Sequence, residues 1–183
     1  MRRDRDRDTG GRPRNARPRD ALGRPLDRTG AGADLSIPDD LLLAGADAAR
    51  LADELLRAGR PFHAHEVLEA SWKSGPAGER DLWQGLAQIA VGLTHAHRGN
   101  ARGAVTLLGR GAQRVRAYQA EVAAASPAGS PAASPGGDRP YGMDLAALLA
   151  ATDDLAARID RDGLAGIPAA DLRPGLTVSP DGF

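Results

Sequence analysis

The chain of 183 residues has no cysteine and very few aromatic residues, and each shortage excludes a class of structure or chemistry. Without cysteine there is no disulfide, no thiolate metal site and no cysteine nucleophile. Aromatic residues make up 3% of the chain although 42% is hydrophobic, so alanine and leucine supply most of the apolar surface. This composition favours helices packed closely on small side chains over strands, which are rich in β-branched and aromatic residues.

The sequence also lacks long apolar runs and a net charge. No stretch approaches the roughly 18 consecutive apolar residues that a membrane helix needs, and no apolar secretory signal opens the chain. The formal net charge is zero, although residues 1–33 hold ten arginines against five aspartates. We therefore expect no membrane association and a cytoplasmic location.

Composition divides the chain into a helical domain and three segments without apolar periodicity. Residues 1–35 are rich in Arg, Asp, Gly and Pro and cannot bury enough apolar surface to fold, so they are predicted to form a disordered arm. A Ser/Pro/Gly linker at 125–140 interrupts the domain at 36–160, and an irregular tail covers 161–183. The acidic residues that alternate with arginine in the arm, and its lack of aromatic residues, argue against a nucleic-acid partner.

Apolar residues recur at helical spacing in five segments of this domain, and these predict helices at 38–58, 61–74, 79–98, 101–124 and 144–160. Ser36 and Asp39 resemble a helix N-cap, and Asn100 is predicted to cap the fourth helix. Short connections make the first four helices antiparallel neighbours, and Gly85 and Gly92 allow a close crossing of the third helix. The predicted fold is an all-α antiparallel bundle of four to five helices.

Polar residues interrupt the predicted inward faces of the second and third helices. At about 100° per residue, one side of the second helix is predicted to carry Phe62, His65, Leu68, Glu69 and Trp72, with Glu66 at its edge. A second stripe on the third helix consists of Gln84, Gln88, Val91 and His95. We therefore predict a polar cluster of histidine, glutamate and glutamine between these two helices.

Three interpretations of this cluster stay open. His65 and Glu69, with His95 from the third helix, could bind a metal, although Glu69 stands where a His-Glu-x-x-His helix needs its second histidine. Each of the pairs His63/His65 and His95/His97 points about 200° apart on its helix and cannot chelate together. The cluster could also be a hydrogen-bonded structural core, or a Glu–His pair for acid–base catalysis.

The favoured interpretation is a non-catalytic module without a cofactor, which binds an unknown small molecule or protein partner in a polar cleft. The alternative is a metal-dependent or acid–base enzyme of hydrolase type that uses the same residues. The sequence is compatible with an oligomer, and it names no reaction.

Residues 47–112 carry a pattern that resembles domain of unknown function family 309. The pattern reads Phe62-x-x-His65-Glu66-Val67-Leu68-Glu69-x-x-Trp72, then Gln84-Gly85-Leu86-x-Gln88-x-Ala90, then Gly99-Asn100-x-x-Gly103-Ala104. The resemblance implies a small all-helical, mainly prokaryotic domain without an established activity. It also implies a shared site, at these positions: His65, Glu66, Glu69, Trp72, Gln84 and Gln88. Trp83 also fits the pattern, and His95 matches a histidine-bearing position near the end of the third helix.

Overall fold

The computed structural model describes residues 20, 22–24, 43–125 and 139–176, except for the Ser74 side chain. The predicted arm at 1–35 lies outside the described residues apart from a short turn at 20 and 22–24. Residues 126–138 of the predicted linker also lie outside them.

The described residues form five α-helices and no strand, as the sequence predicts. The helices are α1 (Gly45–Arg57), α2 (Pro61–Ser74), α3 (Arg80–His97), α4 (Ala101–Ala125) and α5 (Leu145–Asp162). Single 3₁₀ turns at Ala77–Glu79 and Pro140–Gly142 precede α3 and α5. None of these helices has the length and apolar character that a membrane span requires.

The first helix begins later than predicted. Leu43 and Ala44 are not helical, and α1 starts at Gly45 without a side-chain cap. A Cβ atom added at Gly45 would overlap the Tyr141 ring, so a contact from a distant part of the chain lies against this helix end. The cap predicted at Ser36 and Asp39 lies outside the described residues.

Local chemistry fixes the other helix boundaries close to their predicted places. Pro61 occupies the first turn of α2, where its missing N–H has no helical partner to lose. Asn100 caps α4, because its Oδ1 accepts from the Gly103 N–H at 2.9 Å. Asp144 caps α5 in the same way, with its Oδ1 at 2.9 Å from the Ala147 N–H.

Helices α3 and α4 cross at a short distance, with glycines of α3 against the backbone of α4. A Cβ added at Gly85 would lie 2.9 Å from the Gly111 carbonyl oxygen, and one added at Gly92 would lie 3.0 Å from the Leu108 backbone nitrogen. The contacts run in opposite directions along the two helices, which are therefore antiparallel. The close crossing predicted from Gly85 and Gly92 is confirmed.

The segment after α5 contributes to the core although it is irregular. Residues 163–176 form turns without helix or strand, yet Leu172 and Leu176 are buried. The buried Asp53 of α1 holds this segment, because its Oδ1 accepts from the Leu176 N–H at 2.6 Å. These residues are irregular, as predicted. No local sequence pattern indicates that Leu172 and Leu176 are buried.

Candidate functional site

The buried face of α2 differs from the predicted one. The buried positions of α2 are Pro61, His63, Ala64, Val67, Leu68 and Ser71. The predicted inward residues, apart from Leu68, are only half-buried: Phe62, His65, Glu69 and Trp72. The small Ala64 and Ser71 therefore belong to the interior face, while the aromatic and charged side chains of the strip lie along the flank. We call this half-buried strip, together with Gln84 and Gln88 of α3, the α2–α3 flank.

Three charged or titratable side chains follow one another along the α2 part of the flank. Glu69 Oε2 lies 3.4 Å from His65 Nε2, and Glu69 Oε1 lies 2.8 Å from Lys73 Nζ. The Glu69 side chain is 36% exposed. The sequence predicts an inward-facing carboxylate here, but the structure places it at the edge with a lysine as its charge partner.

His65 presents a hydrogen-bond acceptor that has no partner. Burial lowers the pKa of His65, the nearby Glu69 carboxylate partly opposes this, and Lys73 lowers it further, so the ring is neutral at neutral pH. The carboxylate beside Nε2 favours the tautomer with its proton on that nitrogen. Nδ1 is then an acceptor, and it is buried without a hydrogen-bond partner.

The α3 side of the flank carries a second such acceptor. Gln84 and Gln88 are half-buried, and the Gln88 Oε1 atom is buried without a partner. The Arg80 guanidinium lies 5.8 Å from the centre of the Trp72 ring across the turn between α2 and α3. Counted from that contact, Gln88 and His65 lie at similar distances from the turn, as do Gln84 and Glu69. Asp81 and His95, seven residues before and after Gln88, contact Arg114 of α4 and Asn100.

His95, also predicted for the cluster, lies in the last turn of α3 and contacts the connection between α3 and α4. Its Nδ1 lies 2.8 Å from the Asn100 Nδ2, while the Asn100 Oδ1 caps α4. A Cβ added at Gly103 would overlap the His95 ring nitrogen. The residues His95, Asn100 and Gly103 of the sequence pattern therefore build a tight helix–turn–helix connection.

The proposed metal ligands do not come together. Within the part of the chain that the structure describes, no three His, Asp or Glu side chains are grouped so that they could hold a metal ion. The set His65, Glu69 and His95 is thus not assembled. Glu66, which follows His65 in the His-Glu pattern, is half-buried on α2.

The remaining two histidines, His63 and His97, are not part of the predicted cluster, although the His63 ring centre lies 5.8 Å from that of Phe62. His63 is 2% exposed with its Nδ1 unpaired, and burial lowers its pKa, with Arg60 adding to the effect and Asp20 opposing it. Burial also lowers the pKa of His97, whose Nε2 lies 3.3 Å from the Leu172 carbonyl oxygen, a contact that opposes the shift.

The structure has a second polar cluster, around Glu79, that the sequence analysis does not predict. Glu79 accepts from Trp83 Nε1 at 2.9 Å and from the Tyr141 hydroxyl at 2.6 Å. Burial raises the pKa of Tyr141, and the hydrogen bond to Glu79 raises it further. Tyr141 also has a φ angle of 57°, which is uncommon for a residue other than glycine. The family pattern includes Trp83, and Glu79 stands four residues before it at helical spacing, but Tyr141 is 62 positions away from Glu79 and no spacing marks it.

Comparison with known proteins confirms the family resemblance over the central helices. Residues 50–107 match the family described as Domain of unknown function (DUF309). The chain is 43% identical over 61 residues to "Uncharacterized protein YpuF" of Bacillus subtilis (strain 168), a match that covers 33% of each chain. The chain thus spans about a third of the length of this curated relative. No solved structure matches.

Proposed function

We propose that this chain, whose residues 50–107 match DUF309, is a non-catalytic module that binds a small molecule or a protein partner at the α2–α3 flank. The site consists of His65, Glu69 and Trp72 on α2, with Gln84 and Gln88 on α3. Glu66 belongs to the same stretch of the family pattern and borders the site. The proposal concerns binding only.

One observation carries the proposal: two buried acceptors on this flank have no hydrogen-bond partner. Leaving a buried acceptor unpaired costs about 1–3 kcal/mol, so a folded domain without another use for these atoms would be expected to pair them. The side chains of His65 and Gln88 are themselves only half-buried. Rotation about their side-chain bonds can therefore turn both acceptors towards a bound group.

Trp72 supplies the apolar contact that such a site needs. Its ring is half-buried, and the Lys73 ammonium lies 5.9 Å and the Arg80 guanidinium 5.8 Å from the ring centre. Aromatic rings with a wet edge are frequent in binding surfaces because they bury much area with few rotatable bonds. Lys73 is paired with Glu69, so the Arg80 guanidinium is the cation that would favour a carboxylate or another anionic group on the ligand at this end of the flank.

The enzyme alternative has weaker support in the geometry. His65 and Glu69 do lie within ion-pair distance, but Glu69 is already neutralised by Lys73 at 2.8 Å. Neither His95 nor another histidine, aspartate or glutamate of the described residues completes a set of three metal ligands with them. The pair alone supplies a base without a substrate-orienting group.

A pair of simple amides tests the proposal in solution. Acetamide has two N–H donors, whereas N,N-dimethylacetamide has none and is otherwise similar. We expect acetamide at millimolar concentration to shift the NMR signals of the His65 ring and of the Gln88 side chain, and dimethylacetamide to leave them unchanged. Gln88→Leu should abolish the response at His65, because it removes one of the two acceptors.

The control variant is Gln113→Leu, the same substitution at an exposed position of α4. It should respond to acetamide like the wild-type protein. An equal response to both amides, or no response in the wild-type protein, would contradict a donor-binding site at this flank.

A further inference from the structure

The N-terminal segment contributes a compact turn that lies on the start of α2. Asp20 organises it, because its Oδ1 accepts from the Leu22 N–H at 2.9 Å and from the Arg24 N–H at 2.7 Å. The Asp20 carbonyl oxygen accepts from the Gly23 N–H at 2.8 Å. Gly23 has a φ angle of 72°, a conformation that glycine adopts without strain.

Two contacts dock this turn on the helices. Gly23 is buried, and a Cβ added to it would overlap the Phe62 ring, so the backbone of the turn lies directly on the aromatic ring. The Arg98 guanidinium donates two hydrogen bonds to the Leu22 carbonyl oxygen, one of them from Nε at 2.8 Å. Arg98 follows the last residue of α3, so the turn bridges the start of α2 and the end of α3.

The turn covers one end of the α2–α3 flank. The Phe62 ring centre lies 6.1 Å from that of His65, and both residues belong to the family pattern. The family match begins at residue 50, so the turn at 20 and 22–24 lies outside it. Phe62, against which Gly23 packs, lies inside the match.

We propose that this turn is a strap that can detach from the helices. Phe62 and Arg98 form a binding surface for a turn with glycine at its centre, and in the closed state the chain's own turn is bound there. The strap controls access to the Phe62 end of the α2–α3 flank, and in this respect the inference rests on the proposed function. The surface accepts a turn with glycine at positive φ and a free carbonyl group on the preceding residue. A partner protein presenting such a turn would compete with the strap.

The contacts make the strap suited to opening. Among its described contacts, the Arg98 guanidinium that bonds the Leu22 carbonyl is exposed to solvent, whereas the helices below share a continuous apolar core. Segments with few buried contacts open locally at a small fraction of the free energy of global unfolding. Covalent attachment keeps the effective concentration of the turn high, so the closed state dominates in the free protein.

A substitution in the full-length chain tests release of the strap. Gly23→Ala places a Cβ against the Phe62 ring and forces an unfavourable φ angle on alanine. Gly163→Ala is the matched control, because Gly163 has the same φ of 72° and a Cβ there would meet nothing within 4 Å. We expect the NMR signals of the Phe62 ring to shift and amide hydrogen exchange at Leu22 to become fast in Gly23→Ala, and both to stay unchanged in Gly163→Ala.

The binding surface is tested with a peptide that has the sequence of residues 17–27. If the strap closes the surface in most molecules, the peptide should bind full-length Gly23→Ala about tenfold more tightly than the wild-type protein. A peptide carrying the same Gly→Ala change should not bind either protein. Fluorescence anisotropy of a labelled peptide gives the affinities.

The two proposals can fail separately. Equal peptide affinity for the wild-type protein and Gly23→Ala, no peptide binding to either, or unchanged NMR signals of the Phe62 ring in Gly23→Ala would overturn the strap. Release of the strap and peptide binding without any acetamide response at His65 and Gln88 would support the strap and overturn the donor-binding site.

Discussion

Gly85 of α3 and Gly111 of α4 lie back to back, and each occupies the space that a side chain on the other would need. A Cβ on Gly85 would lie 2.9 Å from the Gly111 carbonyl oxygen, and a Cβ on Gly111 would lie 2.7 Å from the Gly85 carbonyl oxygen. Because the obstacle on each side is backbone, no rotation of a side chain can relieve the overlap. This contact determines how closely α3 and α4 approach each other.

Gly111→Ala should therefore destabilise the protein even though alanine is the better helix former. Overpacking of a close interface costs about 1–3 kcal/mol, and more where backbone must move, against a gain in helix propensity of about 1 kcal/mol. We expect a lower free energy of unfolding in urea. Gly109→Ala, on the same helix but with nothing within 4 Å of the added Cβ, should be neutral or stabilising. Equal stability of the two variants would contradict the role of the crossing.

A second prediction concerns the link between Asp53 and the segment after α5. Asp53→Ala leaves the Leu176 N–H without its acceptor and also removes the ion pair to Arg57 Nε at 2.7 Å. Loss of a buried hydrogen bond of this kind costs about 1–3 kcal/mol, and amide hydrogen exchange at Leu176 should become fast. The neighbouring Glu54→Ala is the control.

Glu54 pairs with Arg50 at 2.9 Å, but its side chain is 58% exposed. Its removal should change the free energy of unfolding by about 0.5 kcal/mol or less. If both alanine variants unfold at the same urea concentration and Leu176 stays protected, the segment is not held through Asp53.

The helices could be predicted from the sequence because their signals are local. Pro61, Asn100 and Asp144 act on the backbone next to them, and apolar spacing gives the inward face of α3. The link between Asp53 and Leu176 joins residues 123 positions apart, and no periodic pattern marks it.

The assignment of the flank shows the limit of helical projection. It places His65 and Glu69 on the same side of α2, and in the structure Glu69 Oε2 lies 3.4 Å from His65 Nε2. It takes the side with Phe62 and Trp72 as the interior, whereas Ala64 and Ser71 are buried and Trp72 is half-buried. His95 contacts Asn100, which lies beyond the helix end and outside the projection.

The stability of the protein should fall as the pH drops below about 6.5. Burial lowers the pKa values of His63, His65 and His97, so the folded state binds fewer protons than the unfolded state in this range. The stabilisation is complete above the unfolded pKa of about 6.5 and is lost as the pH decreases towards the folded values. Urea unfolding between about pH 8 and pH 5 measures this dependence.

His63→Leu should flatten part of that profile, because leucine fills a similar volume and cannot take up a proton. The ring of His63 is almost fully buried, so its contribution should be the easiest to separate. A profile of unchanged slope in His63→Leu would show that this histidine does not contribute to the acid sensitivity.

The last prediction compares two glutamates whose roles the sequence does not distinguish. Glu69 is 36% exposed and pairs with Lys73 and His65, so Glu69→Gln should alter the free energy of unfolding by less than about 1 kcal/mol. Glu79→Ala removes the acceptor of two hydrogen bonds, from Trp83 Nε1 and the Tyr141 hydroxyl, and should cost about 1–3 kcal/mol.

Tyr141→Phe separates the two bonds to Glu79, because it deletes the hydroxyl and keeps the ring against Trp83, whose centre is 5.3 Å away. It should cost less than Glu79→Ala, since the carboxylate keeps its Trp83 donor and regains contact with water. Thermal and urea unfolding of the three variants give the order of stabilities. A larger loss in Glu69→Gln than in Glu79→Ala would mean that the α2–α3 flank, and not the Glu79 cluster, is the polar anchor of the bundle.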